Sequence, residues 1–467
     1  RNCKCTRRNC EIVSSNSRHI NSFNQAYFIG IGGIGMSALA RYFLSKGWRV
    51  GGYDKTPSKL TETLEKEGAK VHFEDLGDGL PREFLSKGDT LVVYTPAIPK
   101  AMKELLFLQE NGYTVLKRSE VLGMITRDSQ ALCVAGTHGK TTTSSLLAHI
   151  LNESQFKCSA FLGGISTNFN SNFIGSNESK LTVIEADEFD RSFLKLNPFA
   201  SIVTTTDADH LDIYNDDASF QQSFQDYADL IDKNGYLIHQ ASVKLKHENS
   251  ISYGMNCSAD YKGYNERFLN GQYLIDIEAP NFNWRNVVLG LPGTHNAENA
   301  LGCVALLIQI GMQEEEIRQG LASFLGVKRR FEYQIRTSDL VFIDDYAHHP
   351  EEINAVYRAV REMYPNRKVL VIFQPHLYSR TQDQAAGFSA TLDQADEVIL
   401  LPIYPARELP IPGVTSDMLL SAMTIEKKQV MSKEQLMAWA ATTEDKLIVM
   451  AGAGDIDVLI RNIKNDL

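Results

Sequence analysis

Lys140 carries the clearest chemistry in the chain. It stands in Val134-Ala135-Gly136-Thr137-His138-Gly139-Lys140-Thr141-Thr142, where an apolar run passes through two glycines into a lysine and a series of hydroxyls. A strand that enters a helix through such a loop makes a phosphate cradle. Backbone N–H groups and the helix N-terminus face the anion, the lysine reaches the β- and γ-phosphates, and a threonine hydroxyl holds Mg²⁺. Gly136, Thr137, His138, Gly139, Lys140, Thr141 and Thr142 are therefore assigned to a bound nucleotide. The spacing departs from the usual motif, because Val134 occupies the first glycine position. A glycine turn that merely carries a lysine is the plain alternative. The apolar run before it and the run Thr141–Thr143 weigh against that.

Carboxylates follow the next apolar runs. Glu185-Ala186-Asp187-Glu188-Phe189-Asp190 continues Leu181–Ile184, and Asp207, Asp209, His210 and Asp212 come just after Ser201–Val203. Acidic loops are mostly just solvated. At the ends of buried strands, downstream of a phosphate loop, hard oxygen ligands suit Mg²⁺. Near the start, Gly30, Gly32 and Gly35 match GxGxxG, and Asp54 lies where a ribose hydroxyl would be held. The motif requires only a pyrophosphate at a helix N-terminus, so any nucleoside diphosphate serves; tight helix–strand packing without a ligand is the alternative. Late in the chain, Asp345, His348 and His349 share one loop and His376 and Arg380 another. Such groups on a separate domain could close over a phosphate and stabilise charge that develops during transfer.

The elements needed to position these residues recur in three blocks. Ala26–Ile29, the glycine turn, a helical stretch to Leu44 and the run Trp48–Tyr53 form a first βαβ unit. Ala131–Ala135 opens a second block, and Leu340–Ile343 a third that continues through Val369–Phe373, Glu397–Leu401 and Leu447–Ala451. The expected class is α/β with three domains. These are a Rossmann-like domain over 25–118, a central P-loop ATPase-like domain with a mostly parallel sheet over 119–326, and a Rossmann-like lid over 327–467. Residues 1–24 are polar and basic and carry Cys3, Cys5 and Cys10. They read as a disordered or artificial leader, in preference to a metal site.

Composition excludes some classes. A chain of 467 residues exceeds one ordinary core. Its net charge of -10 argues against a dedicated nucleic-acid surface. The uncharged stretch Ile20–Ala40 is broken by polar residues and glycines, so no membrane span is expected. No secretory signal pattern is visible, and seven dispersed cysteines suit a reducing compartment, so a cytoplasmic protein is expected.

Taken in order, GIGGIGMSALA, AGTHGKTTT, EADEFDRSF, DADHLDIY, GTHNAENA, GVKRRFEY, DDYAHHPEE and FQPHLYSRT resemble the Mur ligases, from about Ala26 almost to the end. The resemblance implies a UDP-sugar domain, an ATP domain and a lid. It implies an ATP-dependent ligase that activates the lactyl carboxylate of UDP-N-acetylmuramate as an acyl phosphate and joins it to L-alanine, as a monomer or homodimer. On this resemblance Lys140 and Thr141 serve the phosphates and Mg²⁺, Glu185 is a metal ligand, and His210 is the second-metal histidine. His295, Asn296 and Asn299 fall in the adenine segment, and Arg330 and Asp345 contact ATP from hinge and lid. His348, His376 and Arg380 fall where the amino acid and phosphate are contacted; Lys140, His210, His348 and Arg380 make up the expected catalytic set. Gly30, Gly32, Gly33 and Gly35, with Asp54, would cradle the UDP portion. Leu377 stands where relatives often carry a basic residue. Three rival readings are a recycling ligase that attaches a preformed tripeptide, an NAD-dependent dehydrogenase suggested by GxGxxG, and a non-catalytic nucleotide switch.

Overall fold

The computed structural model describes residues 20–99, 101–207, 217–406, 408–440 and 447–466. Each of the three α/β blocks has its own sheet. The first is five-stranded, in the order Lys70–His72, Arg49–Tyr53, Gln25–Ile29, Thr90–Tyr94 and Thr114–Lys117, and every neighbouring pair is parallel. Gln25–Ile29 is buried along its whole length, as a central strand covered on both faces must be. The strand order turns back on itself between this strand and Thr90–Tyr94. The crevice at such a switch point is where ligands of parallel sheets bind, and the glycine loop begins there.

The second sheet has ten strands. Gln130–Ala135 and Pro198–Val203 are neighbours at its middle, with Leu181–Glu185 on the far side of the former. Helices Lys140–Glu153 and Thr294–Gln309 contribute Leu147, Ile150, Leu301 and Leu306 to the core beneath it. At one edge, Tyr261–Leu269, Gln272–Ala279 and Phe282–Leu289 form an antiparallel meander; at the other, Ser159–Ser166 pairs antiparallel with Ser171–Ile174.

The third sheet has six strands, ordered Glu332–Arg336, Val341–Asp345, Leu447–Ala451, Leu370–Phe373, Glu397–Leu400 and Lys428–Val430. Only the first pair is antiparallel. Separate apolar clusters cover its two faces, one around Val371 and Phe388, the other around Ile372 and Ile460. The chain divides into two compact units: one runs to Ala131 and takes in Ser192–Pro198, and the other comprises Leu132–Arg191 and the chain from Phe199 onward. Among the described residues no helix is long and apolar enough to cross a membrane.

Candidate active site

The phosphate loop is dictated by its glycines. Gly136 has φ +130°, and a Cβ there would lie 2.1 Å from Thr204 Oγ1, so no side chain fits. Gly139, in the left-handed region at φ +79°, caps the helix Lys140–Glu153; its Cβ would come 2.8 Å from Asn299 Oδ1. Among the described residues no side chain caps this helix, so its first-turn amides are directed at the loop. Thr205 staples the loop: its carbonyl accepts from Thr137 N at 3.1 Å, and its Oγ1 accepts from His138 N at 3.1 Å.

Lys140 Nζ donates to Gly136 O at 2.6 Å and Thr137 O at 3.2 Å, and pairs with the Glu188 carboxylate at 2.9 Å. Glu188 is buried. Desolvation pushes its pKa up, and the neighbouring ammonium pulls it back. The sequence places Glu188 in an acidic run but gives no sign that it, of the four acids there, is the one that turns inward.

Thr141 Oγ1 donates to Glu185 Oε1 at 3.0 Å, and Gly163 N donates to Glu185 Oε2 at 3.0 Å. A hydroxyl and a carboxylate oxygen thus meet at the start of the helix. This hard donor set fits Mg²⁺, which keeps several waters and takes its other ligands from phosphates. Among the described residues no group of three His, Cys, Asp or Glu gathers. His210, Asp209 and Asp212 lie outside the described residues; Asp207 is exposed.

Asn299 faces the loop through Gly139, while Asn296 is buried with its Nδ2 on Pro292 O at 2.7 Å. Thr142, Leu146, Leu291, Asn296 and Ala300 line a small pocket beside the loop. His295 is exposed.

In the third block, Asp345 is buried and both its oxygens accept main-chain bonds, from Phe331 N at 2.6 Å and Ala347 N at 2.7 Å. Burial raises its pKa to about 6. Arg330 is exposed and acts electrostatically on both Asp345 and His348. His348, His376 and Arg380 come together. The imidazole centroids are 6.0 Å apart, and Arg380 Nη1 is 3.4 Å from His376 Nδ1. Burial, then Arg380 and His348, push the His376 pKa down to about 4, so this ring is neutral at pH 7. His349 instead occupies the N-cap position of the helix Pro350–Met363. Leu377, at φ +69°, bends the chain so that its N–H reaches Tyr404 O at 2.9 Å.

In the first unit, Gly30 has φ +90° at the end of its strand, and Gly32 N donates to Asp54 Oδ2 at 2.7 Å. The Asp54 carboxylate therefore organises the glycine loop itself. A Cβ on Gly35 would fall 2.4 Å from Arg118 Nη1, so a guanidinium lies over the first turn of the helix Ile34–Ser45. Arg118 carries no motif that would have exposed it from sequence.

Comparison with known proteins gives a consistent picture. The description "Mur ligase family, catalytic domain" matches residues 25–130, "Mur ligase middle domain" 134–307, and "Mur ligase, glutamate ligase domain" 329–454. A Flavobacterium psychrophilum protein named UDP-N-acetylmuramate–L-alanine ligase is 51% identical over 449 residues, covering 96% of this chain and 99% of its own. A Parabacteroides distasonis protein of the same name is 47% identical over 453 residues, with 96% and 98% covered. The crystal structure of a UDP-N-acetylmuramate–alanine ligase from Thermotoga maritima superposes with a TM-score of 0.81 at 26% identity, covering 94% of this chain and 98% of that one. A murein peptide ligase from Psychrobacter arcticus shares the fold, with a TM-score of 0.67 at 22% identity and 94% and 99% covered.

Proposed function

This chain belongs to the Mur ligase family, and from that premise we propose that it joins L-alanine to the lactyl carboxylate of UDP-N-acetylmuramate in peptidoglycan precursor synthesis, driven by conversion of ATP to ADP and phosphate. The observation that carries this reading is the identity of about half of all positions, along nearly the full chain, to relatives named for that reaction. The site geometry supports it with a mechanism.

The lactyl carboxylate attacks the γ-phosphorus, ADP leaves, and the resulting acyl phosphate is taken by the amino group of alanine, with phosphate as the second leaving group. A carboxylate is repelled by an anionic phosphate, so positive charge must be supplied where charge accumulates. Lys140, now on two loop carbonyls and Glu188, supplies it by turning to the β- and γ-phosphates. Thr141 and Glu185 would hold Mg²⁺, with His210 as the residue for a second ion; the metal neutralises phosphate charge.

Asn296, Asn299 and Thr142 take the adenosine, with His295 from the same segment. Arg330 reaches the phosphates from the hinge, while Asp345 shapes the loop that presents His348. Arg380 and His348 meet the alanine carboxylate and the transferred phosphate, and His376 serves as a neutral hydrogen-bonding partner. Gly30, Gly32, Gly33 and Gly35 cradle the UDP pyrophosphate, with Asp54 fixing their loop; this accounts for GxGxxG without a nicotinamide. Such nucleotide substrates place the enzyme in the cytoplasm. The test is phosphate release from UDP-N-acetylmuramate and ATP with a panel of amino acids and a muramyl-type tripeptide. L-alanine is expected to drive it best; a clear preference for the tripeptide would overturn the reading in favour of the recycling reaction.

A further inference from the structure

We propose that Arg329 is a positioning residue for the ligation, one side chain that ties the hinge to both lid loops carrying the reaction's polar groups. This rests on the ligase reading above.

The hinge is fastened to the central sheet by main-chain bonds, Thr167 N to Gly326 O at 2.9 Å and Lys328 N to Ile165 O at 2.8 Å, and by side-chain bonds to Asn168 and Asn170 in the adjoining turn. Immediately afterwards Arg329 and Phe331 both adopt left-handed backbone, at φ +60° and +49°. Two such residues, neither of them glycine, persist only where surrounding contacts over-determine them.

The Arg329 side chain supplies those contacts. Its Nη2 donates to Gly452 O and its Nη1 to Gly454 O. Nε lies 3.6 Å from Asp344 Oδ2, Nη1 lies 3.7 Å from Asp457 Oδ1, and the guanidinium sits 5.2 Å from the centroid of the Tyr346 ring. Only a planar fork can meet two carbonyls and an aromatic face together, so lysine is no equivalent here.

These partners belong to two loops. Asp344 and Tyr346 flank Asp345 and lead into His348, and Tyr346 N returns a bond to Arg329 O at 2.6 Å. Gly452 and Gly454 pack on Gln374, which opens the segment that reaches His376 and Arg380. Gln374 N donates to Ala451 O at 3.0 Å, and its Nε2 to Asp455 Oδ1 at 3.0 Å. One guanidinium therefore registers both loops against the hinge, while Arg330, the next residue, acts on the site. Loss of that registry leaves the phosphate loop intact and displaces the groups that must meet the acyl phosphate and the amine.

The experiment compares Arg329→Met and Arg329→Lys with the unaltered chain, using steady-state phosphate release and calorimetric ADP binding on the whole protein. For Arg329→Met, kcat per folded molecule is expected to fall about a hundredfold, as for a misplacement of about 1 Å, with ADP affinity within about twofold. The L-alanine KM should rise, and Arg329→Lys should recover only part of the loss. A lowered melting temperature with kcat and the L-alanine KM unchanged would reduce Arg329 to a stabilising residue and overturn the proposal. Should Arg329→Met fail to fold, Tyr346→Leu removes only the stacking face. It is expected to lower kcat about fivefold with ADP binding kept, and an unchanged kcat there also overturns the proposal. If the unaltered chain itself shows no L-alanine-dependent phosphate release, the ligase reading fails, and this role falls with it.

Discussion

The Lys140 ammonium lies 2.9 Å from the carboxylate of Glu188, inside a loop whose carbonyls at Gly136 and Thr137 also hold it. The cation that a triphosphate needs is thus parked against a buried acid whose own pKa is raised by desolvation. Such an acid can take up a proton if its partner is removed.

Lys140→Ala is accordingly expected to abolish chemistry without unfolding the protein. Phosphate release should drop at least about a hundredfold, the scale of a lost charge-stabilising donor. Stability should fall by about 1–2 kcal/mol, less than the ~3–5 kcal/mol for stranding a buried charge, because Glu188 neutralises. Phosphate assays and urea melts on the same samples check both. Near-full turnover would remove Lys140 from the mechanism.

Gly136→Ala tests the loop by a different physical route. The added Cβ meets Thr204 Oγ1 at 2.1 Å and must also sit at φ +130°. Destabilisation of about 2–4 kcal/mol is expected, together with loss of ADP binding. Gly311→Ala is the control: it also has positive φ, at +89°, but among the described residues nothing lies within 4 Å of its Cβ. It should cost about 1 kcal/mol and leave ADP binding alone. Equal effects of the two substitutions would show that backbone strain, and not the close approach, governs the loop.

The contrast between Lys140 and Glu188 shows what sequence could reveal. The phosphate loop, Thr141 and Glu185 are legible because glycines, a lysine and a strand end lie within a few residues of one another. The three α/β blocks are legible because central parallel strands are continuous apolar runs. Glu188, Arg118 and Arg329 are defined by partners far along the chain, and nothing local separates them from solvated charges. The antiparallel meander over Tyr261–Leu289 was likewise hidden: only its middle strand has a continuous buried run, its two flanking strands are partly exposed, and which sheet they extend is a tertiary fact. Asp54 was legible as a partner of the glycine motif. That it grips the loop's own N–H through Gly32 required the coordinates.

That grip leads to a third prediction. Asp54→Ala removes the acceptor of the Gly32 N–H, leaving the loop less ordered, and is expected to raise the KM for the UDP-sugar about tenfold, the scale of one charge-assisted hydrogen bond. Asp54→Asn keeps an acceptor oxygen and should cost less. The KM for ATP should not move in either variant, because the ATP loop around Lys140 lies in the other compact unit. Parallel rises in both constants would point to general damage and refute a local role.

The last prediction concerns pH and Asp344, which is 1% exposed. Burial lifts its pKa to about 8; Arg329 opposes this, and Asp345, Glu332 and Asp457 reinforce it. The folded protein therefore holds this proton more tightly than the unfolded chain, where an aspartate titrates near ~3.9. Stability from that proton is fully present below about pH 4 and is lost as pH rises through about 8. Asp345 contributes in the same direction but is spent by about pH 6. His348 and His376, with lowered pKa values, destabilise only on the acid side. Between pH 6.5 and 8, as rough limits, Asp344 therefore shares the slope with His72, whose pKa burial lowers but Glu104 raises overall. Asp344→Asn, which stays neutral and keeps an acceptor for Arg329, should flatten the fall in melting temperature across that window. Relative to the unaltered chain it should melt about 2–4 °C higher at the alkaline end, for each kcal/mol recovered. Calorimetric scans of both proteins at the two limits decide it. An unchanged slope in the variant would mean that Arg329 holds Asp344 ionised throughout, and that the nearby guanidinium outweighs the cost of burial.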